Sequence, residues 1–418
     1  MALANNILVR LCGLEGSDFE VRDVKVFEDR VVWQIEHQVP ARYICSACGK
    51  AHSSAHELKW IKIEDVPLGN KRQIWQVKRA RVLCDCSLRP RLEKMDFRSK
   101  HHRLTQRFVN FIEQVLCSHM FTVADVSRLF DLDYGVIYKI DHDVLLRLWQ
   151  EMQIPDPINI SVDEKSFKKG HSYVTIVTDT DLKKVIWVSP GRDKQSLDMF
   201  FQVLGDKRCQ KIQTVSKDLH KPYADSCHQY IPQAMEVADP FHVVRRLNEA
   251  IDDSRKELSI GSMLRVSKRK FIGNLQWVLR YKQENMKAGH LASLDALAKV
   301  NEPLYHAYLL KESFYEFFTY RPSECLQAKD FLLRWIVDAF KIGLKGLSDF
   351  AEYINRNQQV LLNIILTKRS SAISEGINTK VTVIKRMAYG YKSLQYFMLK
   401  IMQRCGVLGS MWRPAGAE

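Results

Sequence analysis

Two groups of residues in this 418-residue chain have types and spacings that could do chemistry. The first is sulfur. Cys45-Ser-Ala-Cys48-Gly49 and, further on, Cys84-Asp-Cys86 bring four of the ten cysteines into one short region, while Cys12, Cys117, Cys209, Cys227, Cys325 and Cys405 stand singly and read as small buried apolar residues. In a zinc ribbon two short turns each present a pair of thiolates, and a glycine after the second cysteine lets the chain turn so that both sulfurs face one tetrahedral ion. Cys45 and Cys48 fit that pattern. The second pair has one intervening residue rather than two, which makes joint ligation harder and leaves His101 or His102 to replace one sulfur. Reduced buried thiols, or a redox pair at Cys45 and Cys48, are the competing readings. A structural Zn²⁺ here would staple a small domain poor in apolar residues.

The second group is carboxylates. Asp163 ends a strand-like run, Ile158-Asn-Ile-Ser-Val, and Asp218 follows a second run, Ile212–Ser216; neighbouring strands of one sheet would project both acids at one edge. Glu375 opens a helix whose Ile377, Val381, Ile384 and Ala388 can pack on that sheet while Lys385 and Arg386 stay polar. Three acids on separate elements suit phosphodiester chemistry, in which two Mg²⁺ ions about 4 Å apart activate the attacking oxygen and stabilise the departing one. Mg²⁺ retains waters and substrate oxygens, so a few carboxylates suffice. Asp239 reads either as a cap for the helix opened by Pro240 and Phe241 or as a further ligand. His242 and His220 are accessory candidates, His220 as a proton carrier or simply a surface residue. Glu164 points to the opposite strand face and is expected to be structural.

The elements that must position these groups are legible as a succession of patterns. The length implies two to four domains, and 46% hydrophobic with 27% charged residues is ordinary globular usage. The net charge of +15 points to a polyanionic partner, foremost nucleic acid. From Lys59 to Arg107 there are 14 Lys/Arg against 5 Asp/Glu, with Trp60, Trp75, His101 and His102 interleaved. Lys71, Arg72, Lys78, Arg79 and Arg81 are the phosphate-contact candidates in that block. No stretch reaches the roughly 18 apolar residues of a membrane span, and Met1–Gly13 lacks the basic start of a signal peptide, so a cytoplasmic protein is expected.

Residues 1–100 carry short strands (Val21–Val26, Arg30–Ile35), the cysteines and the basic block. Residues 101–150 read as three helices, the second capped by Thr122. A helix-turn-helix would present Tyr134, Tyr138 and Lys139 to a major groove; a plain helical hairpin is the alternative. Residues 151–254 give three antiparallel strands and then alternating strand and helix, the pattern of a mixed sheet of the ribonuclease H type. Residues 255–369 are almost wholly helical and read as an insertion, and 370–418 close the core with the third acid. The fold class is therefore multidomain α+β.

Several segments together resemble one known family. Val162-Asp163-Glu-Lys-Ser-Phe-Lys-Lys-Gly-His-Ser-Tyr173, Val215-Ser-Lys-Asp218-Leu-His-Lys-Pro-Tyr223, Ala238-Asp239-Pro-Phe-His242-Val-Val-Arg245 and Ser374-Glu375-Gly-Ile-Asn378 with Lys385-Arg386-Met-Ala-Tyr389-Gly390 are similar to the blocks of DDE transposases from bacterial insertion sequences of the ISL-three family. The order of ribbon, basic segment and helix-turn-helix matches as well. The resemblance implies that Asp163, Asp218 and Glu375 are the triad for two Mg²⁺ or Mn²⁺ ions and that Cys45, Cys48, Cys84 and Cys86 hold Zn²⁺. It further implies partners in double-stranded DNA (terminal inverted repeats and target) and in a second copy of the chain, no membrane, and a cytoplasmic, nucleoid-associated location in a bacterium. Two departures stand out: the shortened second cysteine pair, and Leu219-His220 where the family carries Met and an aromatic residue. A catalytically inactive DNA-binding regulator would need a broken triad, and a nuclease for RNA or hybrids would need no front end.

Overall fold

The computed structural model describes residues 2–99, 103–118, 120–168, 172–218, 221–260, 266–368 and 372–411. The chain divides into two units, residues 1–152 with 408–418, and residues 153–407. His101, His102 and His220 lie outside the described residues.

The first unit opens with α1 (Ala2–Cys12), a helix that the strand-like patterning of the first forty residues did not announce. Strands β1 (Phe19–Val26), β2 (Arg30–His37), β3 (Tyr43–Ile44), β4 (Ala51–His52), β5 (Glu57–Leu68), β6 (Lys71–Val82) and β7 (Arg91–Leu92) follow. The main sheet has the order β1-β2-β6-β5, with β7 on the end of β6; β3 and β4 form a separate two-stranded piece. Strand β6 serves two cores because its side chains alternate. Trp75 and Val77 pack with Trp33, Ile35 and Ile63 on one face, whereas Ala80 and Val82, of opposite parity, pack with Tyr43, Cys45 and Cys84.

Helices α2 (Gln106–Cys117), α3 (Val123–Phe130) and α4 (Tyr134–Glu151) close around Phe108, Ile112, Val126, Ile137 and Ile140. Thr122 caps α3 in a reciprocal box with Asp125, Asp131 turns the chain with φ 52°, and Asp133 caps α4. The expected short helix, tight turn and helix are therefore present, each helix N-terminus satisfied by a side-chain oxygen that accepts from orphan backbone N–H groups.

The second unit carries β8 (Asn159–Lys168), β9 (Ser172–Asp179), β10 (Lys184–Pro190), α5 (Lys194–Leu204), α6 (Asp206–Cys209), β11 (Thr214–Lys217), α7 (Lys221–Tyr230), β12 (Met235–Ala238) and α8 (Pro240–Ile260). Its sheet has the order β10-β9-β8-β11-β12, antiparallel through β10-β9-β8 and parallel through β8-β11-β12. The sequence ends the first strand at Asp163, but β8 runs on to Lys168. The polar segment after Asp163 stays extended because β9 keeps pairing with it as far as Lys168↔Ser172, and because Phe167 is buried, its ring 5.5 Å from that of Phe397.

A long helical stretch follows: α9 (Val266–Asn274), α10 (Ala288–Val300), α11 (Glu302–Phe314), α12 (Cys325–Ile342), α13 (Lys345–Arg356) and α14 (Gln358–Thr367). With α8 and β12 it shares a core that includes Tyr308, Phe314, Trp335 and Phe350. Each large side chain removed from water there contributes roughly 1.5–3 kcal/mol. Then α15 (Ala372–Met387) and α16 (Leu394–Cys405) return to the sheet. Ser374 reaches Ser161 of β8, and Gly406 bridges to Val185 of β10. No helix among the described residues is long and apolar enough to cross a membrane.

Candidate active site and metal centre

The parallel ladder between β8 and β11 ends at Val162↔Lys217, so Asp163 and Asp218 are the next residue of each strand. Both acids thus sit at the same level, Asp218 just past the end of β11 and Asp163 within β8, where it pairs with Ile176 of β9. Asp239 follows β12 in the same way, since Lys217 pairs with Ala238. Three neighbouring parallel strands thus carry an aspartate at one level, Asp218 and Asp239 just past their strands and Asp163 within β8, which the alternation of apolar runs and acids could express only strand by strand.

His242 occupies the space between them. Its Nδ1 lies 3.5 Å from Asp218 Oδ2, and its Nε2 lies 3.8 Å from Asp163 Oδ1 and 4.0 Å from Asp239 Oδ2. Burial works against a charge on this imidazole, but the contact with Asp163 and the fields of Asp218, Asp163 and Asp239 outweigh it and raise its pKa above the usual value. Burial raises the Asp239 carboxyl above its ordinary range, opposed by His242 and by the Phe241 N–H. Asp239 Oδ1 accepts that N–H at 2.9 Å, so it caps α8 while its other oxygen faces His242. Lys165 is pulled down by burial, with Asp163 acting against that shift.

Asp163 is fixed on both oxygens. Oδ1 accepts the Glu164 backbone N–H at 2.7 Å, and Oδ2 accepts the side-chain amide of Asn378 in α15. Glu375 stands three residues before Asn378, on the adjoining turn and the same side of the helix, and is exposed. The contact of Ser374 Oγ with Ser161 Oγ at 3.1 Å ties that turn to β8 two residues before Asp163. The structure therefore brings Asp163, Asp218, Asp239 and His242 together and lays the first turns of the Glu375 helix against the same strand. The acids are not closed on one point. Among the described residues, the four clustered thiols are the one set of three or more ligating groups with all ligand atoms within 4.8 Å.

That set is Cys45, Cys48, Cys84 and Cys86, so the shortened second pair does deliver both sulfurs. Cys45 Sγ is 3.7 Å from Cys86 Sγ, and Cys48 Sγ is 3.4 Å from Cys84 Sγ. Gly49, at φ +77°, makes the turn that returns the chain after Cys48. The Cys48 and Ala47 backbone N–H groups lower the Cys45 thiol to about 6. Cys86 is pushed up to about 12 by its bonds with Cys84 and Cys48. Four such thiols ionise together only around a cation, and four sulfur donors at these separations suit a tetrahedral zinc ion.

The basic candidates on β6 are largely engaged within the chain. Lys71 Nζ donates to the Phe27 and Glu28 carbonyls, Arg72 pairs with Glu64 and Asp131, Lys78 with Glu36, and Arg81 with Glu57. Arg79 is half-buried and donates to Glu93 O. On α4, Lys139 is exposed, and Tyr138 stacks between Tyr134 and His142.

A model of the transposase family, of the ISL3 DDE type, matches residues 160–401, more than half of the chain and a span that includes Asp163, Asp218 and Glu375. The chain is 30% identical over 364 residues to the transposase for insertion sequence element IS1001 of Bordetella parapertussis, covering 86% of this chain and 87% of that protein. It is 31% identical over 257 residues to the transposase for IS1557 of Mycobacterium tuberculosis, covering 56% and 57%. The chain belongs to the ISL3 family of DDE transposases. In this family member the residue that sequence reasoning left without a role is Asn378. It stood in the third block, three residues after Glu375, and only the folded contact reveals that its amide holds Asp163.

Proposed function

We propose that this transposase binds the terminal inverted repeats of an insertion sequence and catalyses Mg²⁺-dependent strand cleavage and strand transfer. The observation that carries this reading is the placement of Asp163 and Asp218 one residue beyond paired positions of neighbouring parallel strands, with the Glu375 helix anchored on Asp163 through Asn378. In this reading the β8–β12 sheet is a ribonuclease H-like core, the helices from α9 to α14 are its insertion, and the cysteine cluster with α2–α4 forms a zinc ribbon and helix-turn-helix that engage DNA. Two copies of the chain would hold two element ends.

The residues fit a hard divalent cation. Asp218 Oδ1 is sealed from water with no hydrogen-bond partner among the described residues, and the donors are carboxylate oxygens, which suit Mg²⁺ or Mn²⁺. Asp163, Asp218 and Glu375 would hold the ions, which when bound activate the attacking oxygen and stabilise the departing one. Asn378 and the Glu164 N–H orient the Asp163 carboxylate, and His242 shields the aspartates from one another. A water or a DNA 3′-hydroxyl serves as nucleophile, so no protein side chain is modified.

The test is a supercoiled plasmid carrying the element ends, incubated with the full chain or Glu375→Ala, in Mg²⁺ or EDTA. Cleavage at the ends that needs both Glu375 and Mg²⁺ is the expected result. Binding without cleavage by the intact chain would leave a DNA-binding regulator instead.

A further inference from the structure

The loop between β6 and β7 carries cations of a different standing from those on β6. It is closed at its base by the pairs Arg81↔Leu92 and Val82↔Arg91, and its Cys84 and Cys86 lie against the first cysteine pair. Beyond Cys86 the chain reads Ser87-Leu88-Arg89-Pro90-Arg91, with Leu88 fully exposed at the tip. Arg89 and Arg91 are exposed, and neither guanidinium has a carboxylate within ion-pair reach among the described residues. They converge with Arg81, Ser46, Pro90 and Leu92 around an open recess of about 440 Å³. Among the described residues Arg81 has one carboxylate partner, Glu57, at 3.4 Å on the surface, a pair worth little in water and readily exchanged. Pro90 restricts the backbone between the two unpaired arginines. The recess is thus lined by three arginines, whose guanidinium donor geometry matches phosphate oxygens, and by a serine from the first cysteine turn.

We propose that this recess grips the phosphate backbone of duplex DNA, with Arg89 and Arg91 as the principal contacts. The inference rests on the DNA-binding reading above and moves the phosphate contacts from the internally paired cations of β6 to the loop after Cys86. An unpaired guanidinium meets a phosphate without first breaking an intramolecular bond. The Lys71, Arg72 and Lys78 heads must give up partners to do so.

Full-length protein, zinc-loaded, is titrated with a short mixed-sequence duplex by fluorescence anisotropy across a range of salt. For Arg89→Gln/Arg91→Gln the slope of log K against log salt should shrink by about 2, and Kd at low salt should rise roughly tenfold to a hundredfold. Arg89→Lys/Arg91→Lys should recover most of the slope, because its cations remain. An unchanged slope in the glutamine variant overturns the proposal, as does an equal loss in both variants, which would mark damage to the loop rather than loss of charge. If the unsubstituted chain shows no salt-dependent binding, it is the DNA-binding reading itself that fails.

Discussion

Asp163 is held from two directions, and the two contacts differ in what they can tolerate. The Glu164 N–H is backbone and survives any substitution but proline, whereas the Asn378 amide is a single side chain reaching from α15. Partners that orient a ligating carboxylate typically matter about 10- to 100-fold in metal affinity or activity. Asn378→Ala should therefore weaken Mn²⁺ binding by that order in a titration followed by electron paramagnetic resonance, with the fold intact by circular dichroism; unaltered affinity would show that Asn378 only packs. A second residue-level case lies in the basic block. Arg107 counts toward the positive charge of residues 59–107, yet its Nε donates to Asp65 at 2.7 Å, a second N–H reaches the other oxygen, and its guanidinium lies 5.4 Å from the Trp75 ring centroid. Asp65 is fully buried and also accepts from Thr105 Oγ1 at 2.6 Å. Asp65→Ala would strand both donors, and urea unfolding should lose about 3 kcal/mol, the low end for a buried pair because Arg107 keeps over a third of its side chain in water.

At the scale of elements, what could be read in advance depended on how local the cause was. The α3 cap is written within four residues, Thr122 to Asp125, and the turn before α4 within three, so both were legible. The strand runs at 173–179 and 184–190 were equally plain, because a buried strand declares itself by its own apolar residues. The continuation of β8 past Asp163 was not, since it depends on a pairing partner and on Phe397, far away in the chain. The fate of Lys71, Arg72 and Arg107 was hidden for the same reason: a sequence counts charges but not the acids that fold against them. The cysteine cluster falls between these cases. Its residue types were evident, while the fit of the shortened pair needed the β6–β7 loop to close. Its protonation now gives a directional expectation. Cys45 is lowered to about 6, whereas Cys84 and Cys86 are raised, which favours their protonated forms. Zinc must displace those protons. Zn²⁺ added to the reduced apo protein in weak buffer near pH 7 should release protons, and apparent affinity should rise with pH; binding that releases none would mean that the raised thiols are not ligands.

The whole molecule places its two candidate metal centres in two separate units. The four thiols belong to residues 1–152, and Asp163, Asp218 and Glu375 belong to residues 153–407. Each unit has its own buried clusters, Trp75 and Val77 among others in the first and Tyr308 and Trp335 in the second. Soft sulfur donors bind zinc tightly and are needed for folding, whereas carboxylates bind Mg²⁺ or Mn²⁺ weakly and reversibly. Metal-linked stability should therefore separate by unit. A ligand that binds only the native state adds RT ln(1 + [L]/Kd), about 2.7 kcal/mol at a hundredfold excess over Kd. In differential scanning calorimetry a strong zinc chelator should lower one transition and leave the other in place. Mn²⁺ added to the zinc-loaded chain should raise the second transition alone, and this rise should vanish in a protein carrying both Asp163→Asn and Asp218→Asn. A single transition moved by either treatment would mean that the two units unfold as one, and that the zinc cluster and the acidic site share their stability.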